Sequence, residues 1–139
     1  MSKKSKFGKK QVFIISVDPY SQDIAIVVNG EFKDAFDVFK KFKNKNAKEN
    51  TDFVLKNKDD YFKPYTGLGC LYTELPNGYV MCIKHLDSWI STVGLVAHES
   101  LHLTHYILRR AGIELTKESE EAFTYLQEDI IKKILNKIY

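Results

Sequence analysis

The sequence predicts an α+β fold, in which a small antiparallel or mixed sheet packs on one long helix and on a C-terminal helix. Four short runs rich in β-branched and aromatic residues occur as two pairs, each joined by turn-forming residues. Two long segments with helical hydrophobic periodicity follow them. Strands and helices that are segregated along the chain in this way are typical of the α+β class.

The four predicted strands form two hairpins. Residues 11–17 and 23–29 are the first pair, joined by the turn-forming sequence "DPYSQ". Residues 69–75 and 79–85 are the second pair, and the Asn-Gly sequence between them is a strong hairpin signal. An alternative interpretation of the strand at 79–85 is that it pairs with an extended peptide by strand addition and that His85 faces the same cleft.

The segment between the hairpins is predicted to contain one short helix. Phenylalanines and an alanine recur at helical spacing in residues 31–43, which predicts an amphipathic helix with a solvated basic face. Residues 44–52 are polar and predict a loop. Residues 56–67 predict a second irregular stretch.

The first long helix is predicted over about residues 87–111. Asp87 or Ser88 provides a good N-cap, and Gly112 provides a C-terminal stop. Trp89, at the start of this helix, is expected to be a core anchor.

Composition fits one compact domain. The 139 residues are 44% hydrophobic, which is enough for a core without disulfide bonds. Cys70 and Cys82 show no pairing pattern in the sequence and are expected to be reduced core residues. The sequence shows neither the pattern expected of a secretory signal nor a run approaching the ~20 apolar residues that span a membrane. We therefore expect a cytoplasmic protein without membrane attachment.

The basic residues are concentrated in two tracts. The formal net charge is only +3, so nucleic acid is not an expected partner. Residues 1–10 carry five lysines and no acid, and residues 39–48 carry five more. We expect residues 1–10 to be a flexible tail that contacts a protein partner, and residues 11–139 to form the domain.

The first long helix carries the sequence "HESLH". His98 and His102 are four residues apart, so their imidazoles lie on one helix face and can bind one Zn²⁺ ion. Glu99 lies beside the metal position, where it can take a proton from a zinc-bound water. This short motif recurs by chance, but its position inside a capped, periodic helix favours a metal site over a structural histidine pair.

A catalytic zinc usually has three protein ligands. His105 lies a further turn along the helix from His102, too far to share one metal with His98, and it is expected to contact substrate or other site residues, or to be merely exposed. Leu108 stands where the third histidine of a metzincin would be.

The second long helix offers glutamates as the remaining ligand. It is predicted over about residues 117–138, with Thr116 as its N-cap. Glu118, Glu120 and Glu121 lie in its first turn, where acidic residues are also favoured by the helix dipole alone. Helical spacing places Glu120 nearest to the apolar face, so the residues by themselves leave the choice of ligand open.

The sequence "HESLH", followed 18 residues later by "EEAFTYL", resembles the gluzincin metallopeptidases and a group of small phage-encoded zincin-like proteins. In these families an edge strand lies beside the motif helix, and a glutamate of the next helix completes the zinc site. The resemblance implies that Glu121 is the third ligand. Tyr125 stands where gluzincins carry an Asp or Asn that orients a zinc histidine, so this chain departs from the pattern there.

The resemblance implies a zinc-dependent metallopeptidase acting on a peptide or protein substrate. Glu99 would be its general base, and Tyr106 or Tyr125 can stabilise the oxyanion of the transition state. The alternative is a structural or adaptor protein of a viral assembly, built on a zincin-like scaffold without peptidase activity. In that case the protein is expected in the host cytoplasm or in the virion, bound to a viral or host protein through its basic tail.

Overall fold

A computed structural model describes residues 8–18, 20, 22–43, 47–84 and 88–138 of the chain. The basic tail up to residue 7, and the predicted roles of His85 and Asp87, therefore lie outside the described residues.

The predicted α+β fold is confirmed, with a four-stranded mixed sheet at its centre. Its strands are β1 (Gln11–Val17), β2 (Gln22–Val28), β3 (Gly69–Tyr72) and β4 (Tyr79–Ile83). Each hairpin is antiparallel, and β2 pairs with β4 in parallel, which gives the order β1-β2-β4-β3. The prediction that residues 79–85 accept a peptide strand is wrong, because both edges of β4 are already paired within the sheet.

Helices cover both faces of the sheet. They are α1 (Phe32–Phe36), a 3-10 turn (Phe39–Lys41), α2 (Ala47–Lys56), α3 (Lys58–Tyr61), α4 (Trp89–Arg110) and α5 (Glu120–Ile138). The two long helices share one hydrophobic cluster with one face of the sheet, and the short helices share a second cluster with the other face. None of the helices in the described ranges combines the length and apolarity that a membrane crossing requires.

The long helices bury a stripe of aliphatic side chains against the sheet. Leu103 and Ile107 of α4 and Ile130 and Ile134 of α5 are almost completely buried in this cluster. Burial of each such side chain contributes about 1.5–3 kcal/mol. This packing fixes α4 on the sheet, and with it the direction in which the motif residues point.

The layer on the other face differs from the prediction. The helix predicted over residues 31–43 is divided into α1 and the 3-10 turn. Phe36, Phe39 and Phe42 are spaced by three residues and form successive ring contacts, with centroids 5.8 and 5.5 Å apart. A spacing of three places side chains on one side of a 3-10 turn and also makes them neighbours on an α-helix, so the phenylalanine spacing does not distinguish the two.

The predicted loops also contain helices. The prediction of a loop at residues 44–52 is wrong from residue 47 onward, where α2 begins, and α3 interrupts the irregular stretch at 56–67. Asn50 and Val54 are completely buried on one side of α2. The Asn50 side-chain oxygen accepts a hydrogen bond from the Asn77 backbone N–H at 2.8 Å, which ties α2 to the β3–β4 turn. Tertiary contacts thus order a segment whose polar sequence hides its helical pattern.

The ends of α4 follow the sequence signals closely. Ser88 is the N-cap, and its hydroxyl accepts a hydrogen bond from the Ser91 N–H. Gly112 has a φ of 79°, and the N–H groups of Gly112 and Ile113 donate to the carbonyls of Arg109 and Leu108 in a Schellman motif. The helix therefore ends where the glycine predicts.

The start of α5 is shifted from its predicted position. The helix begins at Glu120, three residues later than expected. Thr116 and Ser119 exchange backbone-to-side-chain hydrogen bonds in a turn before the helix, and the Ser119 carbonyl accepts the first helical N–H groups. Glu118 consequently lies in this turn, outside the helix.

Candidate active site

The two motif histidines lie side by side on the outer face of α4. The rings of His98 and His102 have centroids 5.0 Å apart and are nearly perpendicular. Both side chains are exposed, because Ser100, Leu103 and Thr104 of the same helix turn toward the protein interior. The four-residue spacing therefore gives the predicted pair of adjacent imidazoles.

Glu99 points toward the edge of the sheet. It is only 8% exposed, and its side chain lies against Gly69, the first residue of β3. A Cβ atom added at Gly69 would lie 2.9 Å from Glu99 Oε1. Burial raises the pKa of the neighbouring Cys70 thiol, and the nearby Glu99 carboxylate raises it further. The expected general base is thus held between the motif helix and strand β3.

Strand β3 stands at one edge of the described sheet. It pairs with β4 on one side, and no strand in the described ranges pairs with its other side. Strand β3 is therefore an edge strand of the described sheet, and it is the strand that contacts the motif glutamate. Gly69 was not among the predicted site residues, although a glycine at the start of a strand often marks close approach of another group.

The contacts of α5 show that it runs antiparallel to α4. The His105 ring packs on the Phe123 ring at 4.9 Å, and Gln127 Nε2 donates to the Ala97 carbonyl at 3.4 Å. His105 is only partly exposed. Its ring therefore fills the contact between the two helices instead of facing the solvent beside His98.

The glutamates of the first turn of α5 are exposed. Glu120 precedes Phe123 by three residues and Gln127 by seven, so helical spacing places it on the α5 stripe that contacts α4. Glu121 is rotated by one residue, about 100°, from that stripe. Within the described part of the chain, no three His, Cys, Asp or Glu side chains lie together closely enough to hold one metal ion. The structure brings His98 and His102 together, and the described residues place no third side chain of these types beside them.

A third glutamate of α5, Glu128, lies closer to His98 along the helix axis than Glu120 and Glu121 do. Glu128 follows Gln127, the residue that contacts Ala97 immediately before His98. It is therefore the α5 glutamate nearest in level to His98, and it shares a helix face with Glu121 seven residues earlier. In this structure it pairs with Lys132 at 2.8 Å. In the sequence, the seven-residue spacing from Glu121 was the signal that could have identified Glu128 as a candidate. Its position beside His98 along α4 is visible only in the fold.

Three aromatic residues singled out in the sequence have exposed side chains. Trp89 is 49% exposed, so the prediction of a core anchor is wrong: the helix starts there, before its buried stripe meets the sheet. Tyr125 is 67% exposed and lines a cavity with Tyr20 beside the β1–β2 turn. Tyr106 is 39% exposed, with the Arg109 guanidinium over its ring.

The two cysteines are closer than their sequence positions indicate. Cys70 and Cys82 are direct cross-strand neighbours on β3 and β4, and both are free thiols. Burial raises the pKa of each thiol. The structure agrees with the expectation of reduced cysteines. Their position as direct neighbours on adjacent strands was not predicted.

Comparison of the chain with protein-family models, with curated proteins and with solved structures found no match.

Proposed function

We propose that this protein is a zinc-dependent metallopeptidase in which His98, His102 and Glu121 hold the metal and Glu99 is the general base. One observation carries the proposal. The helix that carries the adjacent, exposed histidine pair also carries Glu99, which is buried against Gly69 of the edge strand β3. A structural histidine pair has no need of a carboxylate at the edge of the sheet.

The chain's own groups divide the catalytic work. When bound, zinc would lower the pKa of a coordinated water toward 7 and polarise the substrate carbonyl. Glu99 takes the proton of the attacking water and delivers it to the amide nitrogen of the departing product. Its burial against β3 limits the directions in which the carboxylate can move, so the proton acceptor is oriented before substrate arrives.

Strand β3 gives the substrate a natural binding mode. An extended peptide can add to the open edge of β3 through main-chain hydrogen bonds. Such a peptide would run beside Gly69 and so pass the Glu99 carboxylate. The expected substrate class is therefore an extended segment of a peptide or protein.

The third ligand is proposed to complete the site when zinc binds. Metal binding couples to the folding of the segments that carry its ligands, so an ion bound by two histidines can order a segment that carries a third ligand. Glu121 is exposed on the first turn of α5, after a loop of mostly exposed residues, so its side chain is free of core packing. Glu120 is the alternative from the same turn, and Glu128 is the alternative at the level of His98.

Metal analysis of purified protein tests the proposal. Wild type should bind one zinc per chain, His98→Ala and His102→Ala should lose it, and Glu99→Gln should keep it while losing cleavage of labelled casein. His105→Ala is the matched control, since this histidine packs on Phe123. Absence of zinc in the wild type would refute the proposal. Bound zinc without cleavage, in wild type as in Glu99→Gln, would instead support a structural or adaptor protein of a viral assembly.

A further inference from the structure

The opposite edge of the sheet contains a groove. Strand β1 stands at that edge, and a cavity of about 860 Å³ runs along it between the short-helix layer and α5. Val12, Phe13 and Ile14 of β1 form much of the lining. The groove lies at the far side of the sheet from β3 and Glu99, so it is separate from the candidate active site.

The backbone of β1 faces this groove with donors and acceptors. Lys133 Nζ donates to the Ser16 carbonyl at 2.7 Å, which shows that this carbonyl points away from β2. In an antiparallel pair, residues whose N–H and C=O groups point outward alternate with residues that bond to the neighbouring strand. The N–H and C=O groups of Ile14 and Val12 therefore also point into the groove.

Lysines line both walls. Lys41 and Lys43 come from the short-helix layer, whereas Lys133 and Lys137 come from α5. Lys133 pairs with Asp129, and the other three form no ion pair with any carboxylate that the structure describes. Asp18 is the one acidic residue among the lining residues that the structure describes. The sequence separates these lysines by about ninety positions, and the fold gathers them around one strand edge.

We propose that this groove binds an extended, acidic segment of a partner protein, which adds to β1 as a fifth strand. The outer edge of β1, which no described strand covers, supplies alternating donors and acceptors, and the three lysines without an ion pair supply charge for carboxylates on both faces of the added strand. A second copy of this chain fits less well, because pairing two β1 edges would bring the two lysine sets together. Phosphates fit less well too, since the outward carbonyls of Val12 and Ile14 would repel them.

A synthetic acidic peptide tests the proposal directly, and the test does not depend on peptidase activity. The probe is a fluorescent ten-residue peptide of alternating Glu and Thr, measured by anisotropy at low salt. A peptide with Pro in place of Thr keeps the charge but cannot form a regular strand. A peptide of alternating Lys and Thr and a single-stranded oligonucleotide are the other two probes.

The groove variant is Lys41→Glu with Lys137→Glu. Its matched control is Lys56→Glu with Lys58→Glu, which makes the same change in net charge at exposed positions outside the groove. We expect the acidic peptide to bind the groove variant about tenfold more weakly than wild type, with the control close to wild type. Binding should also slow hydrogen exchange at the amides of Val12 and Ile14, and circular dichroism should show both variants folded.

Each other outcome overturns the proposal. Equal weakening by both double variants would mean that only net charge matters. Equal binding of the proline peptide would exclude strand addition, and binding of the oligonucleotide alone would identify a phosphate site. Concentration-dependent dimerisation that the groove variant abolishes would identify a second copy as the occupant. If no probe binds, the lysines only protect an open edge from aggregation.

Discussion

Gly69→Ala tests whether the close approach of strand β3 to Glu99 matters for catalysis. The new methyl group would lie 2.9 Å from Glu99 Oε1, about 0.5 Å or more inside ordinary van der Waals contact. It would also lie 3.2 Å from Cγ and from Cδ of the same side chain, so rotation of the carboxylate alone does not relieve the overlap. The glutamate must therefore move as a whole, away from β3.

A displacement of this size at a general base should reduce kcat/KM by about ten- to a hundredfold, because catalysis depends on sub-ångström placement. Zinc content should stay at the wild-type level, since His98 and His102 are untouched. Thermal unfolding should change little, because a flexible side chain absorbs the overlap. The assay is cleavage of labelled casein with zinc analysis of the same sample.

The matched control is Gly94→Ala, in the helix that carries the motif. Apart from its chain neighbours and the backbone of its own helix, no heavy atom of the described residues lies within 4 Å of the added Cβ there, so activity should be unchanged and stability should rise by up to about 1 kcal/mol. Glu99→Asp shortens the side chain that the new methyl group would overlap. Gly69→Ala should therefore reduce kcat/KM less in the Glu99→Asp background than in wild type. Wild-type activity in Gly69→Ala would refute the proposed placement of Glu99 against β3 as a catalytic feature.

Three further predictions concern the metal, the core and the buried ionisable groups. Zinc affinity, measured by competition with a chromophoric chelator, should fall in Glu121→Gln and stay unchanged in Glu120→Gln and Glu128→Gln; a loss confined to either of the latter would reassign the third ligand. Leu103→Ala should lower the free energy of unfolding by about 2–5 kcal/mol in urea titrations, because Leu103 is completely buried, whereas Leu101→Ala, at a position 44% exposed, should cost about 1 kcal/mol or less. Burial raises the pKa of Cys70 and of Cys82, and raises that of Tyr65 to about 12, so the unfolded chain loses these protons first as the pH rises. Stability should therefore be at its full value below about pH 8.5 and fall above it. Urea unfolding midpoints at pH 7.5 and 10 measure this decrease in stability. The decrease should be smaller in the double variant Cys70→Ala with Cys82→Ala, and a midpoint independent of pH in wild type would contradict the reasoning.

The failures of prediction lie mostly between the hairpins. The helix over residues 31–43 was expected from phenylalanine spacing, but a spacing of three is equally compatible with the 3-10 turn that the structure contains. Helix α2 was missed because its buried side chains include Asn50, a polar residue that is buried only because it bonds the β3–β4 turn. Trp89 was expected inside because of its side chain, yet its place at the first turn of α4 leaves it half exposed.

What the sequence determined by itself was local. The strand bounds of β1, the caps of α4 at Ser88 and Gly112, and the adjacency of His98 and His102 all follow from contacts between residues a few positions apart. Only the tertiary structure decided the strand order, because the parallel pairing of β2 with β4 joins segments about 55 residues apart through burial of both sheet faces. That pairing encloses β4, leaves β3 as the edge against Glu99 and leaves β1 as the edge among the lysines. Short-range periodicity and capping cannot specify which strand edge stays open, since that choice depends on how the whole chain covers its apolar surface.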